Sequence, residues 1–278
     1  MNLPVDAHVH TNLSPDSEVP IDVYAALAVK LGIAEFAVTD HIDFDARDPA
    51  FNYSTYADRE RNVRDAAERW AEHGLAIRFG AELTYNTSWD ADLRDHLTRH
   101  AYDFTIGSVH DWPDSPYIPS RVRTWATGRP LSEVVGPYIE QVTAAARTGL
   151  FDTIGHLDVV KRYLHPQITP AQLAERPDLF EPTLAALVES GTGLEVNVSG
   201  LHHVVAETYP PASVVARFRE LGGTRLTTGS DAHRPEWFAH RLDEAYRIAA
   251  EAGFHDLAFR RGPGGPLVLP IPERFLGR

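Results

Sequence analysis

Short apolar runs alternate along the chain with longer amphipathic stretches. Runs of β-strand character occupy 5–9, 34–38, 76–80, 104–108, 152–156, 194–198 and 225–229. Between most of them apolar residues return at helical intervals. In 20–31, Ile21, Ala25, Ala28 and Leu31 recur at that spacing, with Pro20 near the start and Gly32 as the stop. A longer helix is predicted over 54–73, ended by Gly74, and others over 132–148, 173–189, 211–221 and 240–251. Strand then helix, repeated about seven times, predicts an α/β protein with a parallel sheet. An open doubly wound sheet and a closed barrel share that rhythm. No glycine-rich nucleotide loop follows the first strand.

The polar residues fall at particular places in this rhythm. His8 and His10 end the first run, Thr39-Asp40-His41 the second, and Glu82 follows the third. His110 follows the fourth, His156 the fifth, Asn197 ends the sixth, and Asp231 with His233 follows the seventh. In a parallel sheet these positions share one end, where α/β folds build their active sites. A strand period of two puts His8 and His10 on one face. A single histidine after a strand is ordinarily a hydrogen-bonding loop residue. The same bias at every strand end predicts a metal site instead. His73, His96, His100, His165, His240 and His255 lie away from those ends and read as ordinary polar residues.

Composition narrows the chemistry. With 278 residues and 43% apolar content, the chain supports a substantial core. It reads as one unit over 1–278, with 258–278 as a C-terminal tail packed on it; RRGPGGP at 260–266 introduces that tail. There is no cysteine, so any metal is held by nitrogen and oxygen. A formal charge of −13 disfavours a nucleic-acid surface, which needs a positive footprint. No run of about 18 apolar residues predicts a membrane span, and no secretory leader pattern opens the sequence. A cytoplasmic location is the expectation.

DAHVH, TDH, Glu82, GSVH, GHLD and SDAH occur in order between residue 5 and about 236. This series resembles the motifs of the PHP (polymerase and histidinol phosphatase) superfamily, and TIGHLDVVKRYLH with LEVNVSGL resembles its histidinol-phosphate phosphatase branch. The resemblance implies a distorted (β/α)7 barrel with two or three divalent ions, for which zinc, iron and manganese are the candidates. It implies that His8, His10, Glu82 and Asp231 hold one metal, that Glu82 bridges to a second completed by His110 and His156, and that Asp16, His41 and His233 hold a third. A hydroxide bridging two metals, held by Glu82, His110 and His156 with Asp231 and His233 nearby, would attack a phosphomonoester in line with its leaving alcohol. Asp6, Asp40 and Asp158 are close enough in sequence to orient metal-bound histidines, and Asp6 could also be a weak ligand.

Phosphate needs fixed positive charge. Lys161 and Arg162 rank first, ahead of Arg121, Arg123 and Arg234; Asn197 is a further contact, and Asp43 or Asp45 could meet a substrate ammonium. The branch often has histidine where this chain has Asp16, itself a sound oxygen ligand. It commonly shows NTAGLR or NTSGLR where this chain reads NVSGLHH, with His202 in the arginine position. Histidine carries less charge and no bidentate fork. The expected activity is hydrolysis of L-histidinol phosphate in histidine biosynthesis. Alternatives are another small phosphorylated metabolite or nucleotide and, ranked lower, an accessory role beside a DNA polymerase. No spacing fixes an oligomeric state.

Overall fold

A computed structural model describes residues 2–262 and 265–277. The first strand, β1 (Leu3–Val9), alternates Leu3, Val5, Ala7 and Val9 with Asp6 and His8, and both sets are buried. Burial on both faces is what a parallel strand covered by helices requires. The following strands are β2 (Ile33–Val38), β3 (Ala76–Thr84), β4 (Phe104–Ser108), β5 (Thr153–Ile154), β6 (Gly193–Asn197) and β7 (Leu226–Gly229). Each pairs in parallel with the next in chain order, and a short strand, His41–Ile42, adds to β3 beyond the end of β2. The ring nearly closes between β7 and β1. Val9 bridges Ala232, the Asp231 N–H donates to the His8 carbonyl at 2.8 Å, and the His10 N–H donates to the Ala232 carbonyl at 2.9 Å. The expected (β/α)7 barrel is therefore present.

The helices follow their signals. Ile21–Leu31 ends at Gly32, whose φ of +71° suits glycine; a Cβ there would lie 2.1 Å from Asn2 Oδ1. Tyr56–Ala71 is capped by Thr55, whose side chain accepts from the Asp58 N–H. The helix predicted over 173–189 is instead broken into Pro170–Ala174, a 3₁₀ turn at Pro177–Leu179, and Glu181–Ser190. Pro177 removes a backbone donor and disfavours helical geometry at Arg176. The fifth run, expected over 152–156, pairs only at Thr153–Ile154, since His156 turns out of strand geometry with a φ of +22°.

The segment expected as a tail lies in an antiparallel hairpin, Asp256–Gly262 with Gly265–Pro270. Residues 263–264 of its RRGPGGP link lie outside the described residues. Phe259 is buried against Phe104, the first residue of β4, with ring centroids 5.1 Å apart. The hairpin thus covers the barrel end opposite the histidines. Among the described residues no helix is long and apolar enough to cross a membrane.

Candidate metal centre

The C-terminal strand ends converge on Glu82, which is fully buried. Its two oxygens divide five imidazoles between them. Around Oε2 stand His41 Nδ1 at 2.9 Å and the Nε2 atoms of His8 and His10, both at 3.4 Å. Around Oε1 stand His156 Nε2 at 2.8 Å and His110 Nε2 at 3.4 Å. Beyond His10, Asp16 Oδ2 meets His233 Nε2 at 2.9 Å and His41 Nε2 at 3.2 Å. Asp231 Oδ1 lies 3.3 Å from His10 Nε2 and 3.6 Å from His8 Nε2.

These separations test whether a metal fits. Ligand atoms about 2.1 Å from one ion, at tetrahedral or octahedral angles, lie about 2.9–3.4 Å from one another. His8 Nε2 and His10 Nε2 are 2.9 Å apart, and each is 3.4 Å from Glu82 Oε2, which makes such a face; Asp231 Oδ1 stands beside the two imidazoles but falls outside the group close enough to share one ion. Among the described residues Glu82 Oε2 makes no well-formed hydrogen bond despite its imidazole neighbours, as expected of an atom shaped for a cation. Three groups have ligand atoms close enough to share an ion: His8, His10 and Glu82; His41, Glu82 and His110; and His10, Asp16, His41 and His233. Two or three divalent ions can be held. The second group contains His41 where the resemblance implied His156, which nonetheless keeps its short contact to Glu82.

A residue the sequence reading passed over fixes the first of these histidines. Glu195, buried in β6, accepts from His8 Nδ1 at 2.7 Å through Oε1. The lone pair of the neutral ring is then on Nε2, facing the ion site. Glu195 Oε2 accepts from the His156 backbone N–H at 2.8 Å and from Asn197 Nδ2 at 3.2 Å. His156 and Asp231 have left-handed φ values of +22° and +53°, rare for side chains other than glycine and typical of over-determined functional sites.

Without metal the cluster holds protons. Burial opposes charge on His8 and His41, but the carboxylates of Glu195, Asp231 and Glu82 around His8, and of Glu82 and Asp16 around His41, raise both pKa values well above the ordinary range. Burial, with His233 and His41 nearby, pushes His10 down to about 3. Burial would raise Glu82 and Asp231, yet the surrounding imidazoles hold both well below the carboxylate range. Stability from the raised histidines is complete below about pH 6.5 and is lost as pH rises through their folded values; that from the depressed carboxylates is present above about pH 4 and is lost on acidification. Metal must displace the histidine protons, so affinity should rise with pH. Calorimetric titration with zinc at pH 6.5 in two buffers of different ionisation enthalpy should show at least one proton released. A binding enthalpy independent of buffer would contradict this.

The PHP domain family model matches residues 6–199. The chain belongs to the PHP family. A probable histidinol-phosphatase of Deinococcus radiodurans is 27% identical over 262 residues, covering 92% of this chain and 96% of that protein. Its counterpart in Thermotoga maritima is 26% identical over 254 residues, covering 91% and 94%. The crystal structure of histidinol phosphate phosphatase from Lactococcus lactis, complexed with zinc, L-histidinol and phosphate, matches with a TM-score of 0.78 at 23% identity, covering 92% of this chain and 96% of that one.

Within this PHP barrel the other expected contacts separate. A cleft of about 380 Å³ beside the cluster is lined by Asp43, Asp48, Asp111 and Arg162, among others. Lys161 does not line it: its buried ammonium is 2.8 Å from both Asp158 and Glu207 and donates to the Thr208 carbonyl at 2.7 Å. The one-turn helix Val160–Leu164 sends Lys161 into the protein and Arg162 outward. Asn197 is buried, donating to Asp231 Oδ2 at 3.3 Å as well as to Glu195; it positions a carboxylate. Arg121 donates to the Pro113 and Ser115 carbonyls, and Arg123 lines a neighbouring cleft. His202 stacks on Trp237 with ring centroids 4.6 Å apart, and among the described residues neither ring nitrogen has a hydrogen-bond partner. Arg234 also lies over Trp237. Asp45 is tied to Arg47.

The acids expected behind the histidine rings act elsewhere. Asp6 accepts from the backbone N–H groups of Ser230, Ala239 and His8, and burial pushes it up to about 6. Asp40 accepts from the Thr11 N–H and hydroxyl, and Asp158 pairs with Lys161. None of these is a contact to an imidazole nitrogen, and Asp6 belongs to none of the three groups whose ligand atoms could share an ion. Of the histidines read as ordinary, His96 contacts the Tyr102 hydroxyl at 2.8 Å and His100 stacks on Tyr56.

Proposed function

We propose that this PHP protein is a metal-dependent phosphomonoesterase acting on L-histidinol phosphate in the cytoplasm. The observation that carries the reading is Glu82, a fully buried carboxylate whose two oxygens face five imidazoles. Only a shared cation site gives that arrangement a use. The names of the Deinococcus, Thermotoga and Lactococcus proteins support the substrate. In this reading His8, His10, Glu82 and Asp231 hold one ion, Glu82 with His110, His156 and His41 a second, and Asp16, His41 and His233 a third. Ions bound there would neutralise the phosphoryl oxygens and acidify the attacking water.

The chain's own residues orient the ester. Arg162, exposed and lining the same cleft as Asp43, supplies fixed positive charge to the phosphate. Asp43 and Asp48 offer the substrate ammonium a carboxylate, although burial, with the Asp48 charge a lesser cause, raises the pKa of Asp43. Asp231 is held in place by Asn197 Nδ2 and by Ser199 Oγ at 3.2 Å. The oxygen of water joins phosphorus as the ester P–O bond breaks, and the departing alcohol takes up a proton.

One observation favours a different small phosphate. His202, in the position expected of an arginine, is stacked against Trp237 and supplies no guanidinium. Probable phosphatases of two Shewanella strains, 28% identical over 236 residues, fit a broader range. Phosphate release from L-histidinol phosphate and a panel of phosphomonoesters, with metal content measured, separates the two. A kcat/KM of about 10⁴ M⁻¹s⁻¹ or more, selective for histidinol phosphate, supports the first reading. Weak activity spread over the panel supports the second.

A further inference from the structure

The metal cleft does not end at Arg162. Asp111, Arg162 and Tyr163 line it and also line a second polar cleft of about 720 Å³, to which Arg123, His165 and Gln167 contribute without lining the first. Arg123 and Arg162 are both exposed. Among the described residues neither guanidinium makes a hydrogen bond, an ion pair or a ring contact. Arginines nearby are tied down: Arg121 to two carbonyls, Arg47 to Asp45 and Asp114, and Arg129 over the Trp125 ring. Two unneutralised guanidinium groups lining one concavity stand out in a chain of net charge −13.

The charge around the reaction site is therefore asymmetric. Asp43 and Asp48 line the metal cleft and are absent from the joined one, which carries Arg123 and His165 with Asp111 as its one acid among the described residues. A group entering the second cleft from a phosphate at the metals passes Arg162 and then meets Arg123. Carboxylate and phosphate match a guanidinium fork, and a cation entering there would be repelled. We propose that the second cleft is an anionic subsite, so that the protein also takes phosphomonoesters bearing a second anion, a carboxylate or another phosphate, with Arg123 contacting that anion.

This rests on the phosphomonoesterase reading for the first anion, so the test reads binding without turnover. Metal-loaded protein is titrated at fixed ionic strength with ω-phosphonoalkanoates of increasing chain length, each beside the alkylphosphonate lacking the carboxylate. At the matching length the carboxylate should tighten binding about tenfold, the scale of one charged hydrogen bond. Arg123→Gln should remove that gain, and Arg123→Lys should keep part of it. Each comparison is a ratio within one preparation, which cancels differences in folding or metal content. No gain at any length would overturn the subsite, as would a gain that survives Arg123→Gln. Turnover of L-histidinol phosphate, measured on the same protein, tests the phosphomonoesterase reading separately.

Discussion

Glu82→Gln should lower kcat/KM for a phosphomonoester by on the order of 10³-fold, equivalent to about 4 kcal/mol of transition-state stabilisation, and should reduce bound metal. The substitution keeps the shape of the side chain, so packing around β3 is little disturbed. It removes the one negative charge shared by the imidazoles on both sides and turns an amide N–H₂ toward either the His8–His10–His41 group or the His110–His156 pair. An N–H₂ cannot ligate a cation. In metal-free protein, losing a buried partner of charged imidazoles should also cost roughly 3–5 kcal/mol, read as a lower Tm near pH 6. Metal analysis and phosphate release on one preparation decide the matter. Full metal content with activity within tenfold of the parent would mean that Glu82 is not the shared ligand.

The sequence shows the barrel rhythm and the clustering at strand ends because both are local. Seven strand-like runs each end in a polar residue that an ordinary buried strand would not carry, and parallel pairing brings those ends together. What pairs with what inside the cluster is not local. Lys161 and Arg162 are adjacent in sequence, yet one turn of helix buries the first among acids and leaves the second facing the cleft. Asp6, Asp40 and Asp158 sit beside the motif histidines, but strand and turn geometry directs them to backbone donors, Thr11 and Lys161. Glu195 was legible in principle, as an acid inside the apolar run GLEVN and two positions before Asn197. Its partner His8 lies at the other end of the barrel's circuit, and no spacing along the chain announces that contact. Pro177 was visible too, but apolar periodicity outweighed it in the helix expected over 173–189.

Removing Glu195 should have the second large effect, on metal affinity and folding together. Each oxygen of its carboxylate receives a donor: Oε1 takes His8 Nδ1–H, and Oε2 takes the His156 N–H and the Asn197 amide. Glu195→Ala leaves these donors buried without a partner, at about 1–3 kcal/mol each, and frees the His8 ring to turn. Glu195→Gln keeps the volume but must present its N–H₂ to one of the two donor groups. Loss of an acceptor behind a metal-ligating histidine typically weakens metal binding 10–100-fold, so both variants should need correspondingly more zinc to reach full occupancy. The glycines around this carboxylate provide an independent probe. A Cβ on Gly229 would lie 2.4 Å from His8 Cβ and 2.5 Å from Glu195 Oε1, closer than real contacts allow. Gly229→Ala should therefore weaken metal binding through displacement of the same pair, with every ligating residue still present. If Glu195→Gln and Gly229→Ala both bind zinc as tightly as the parent protein, the His8 ring is held by something other than Glu195.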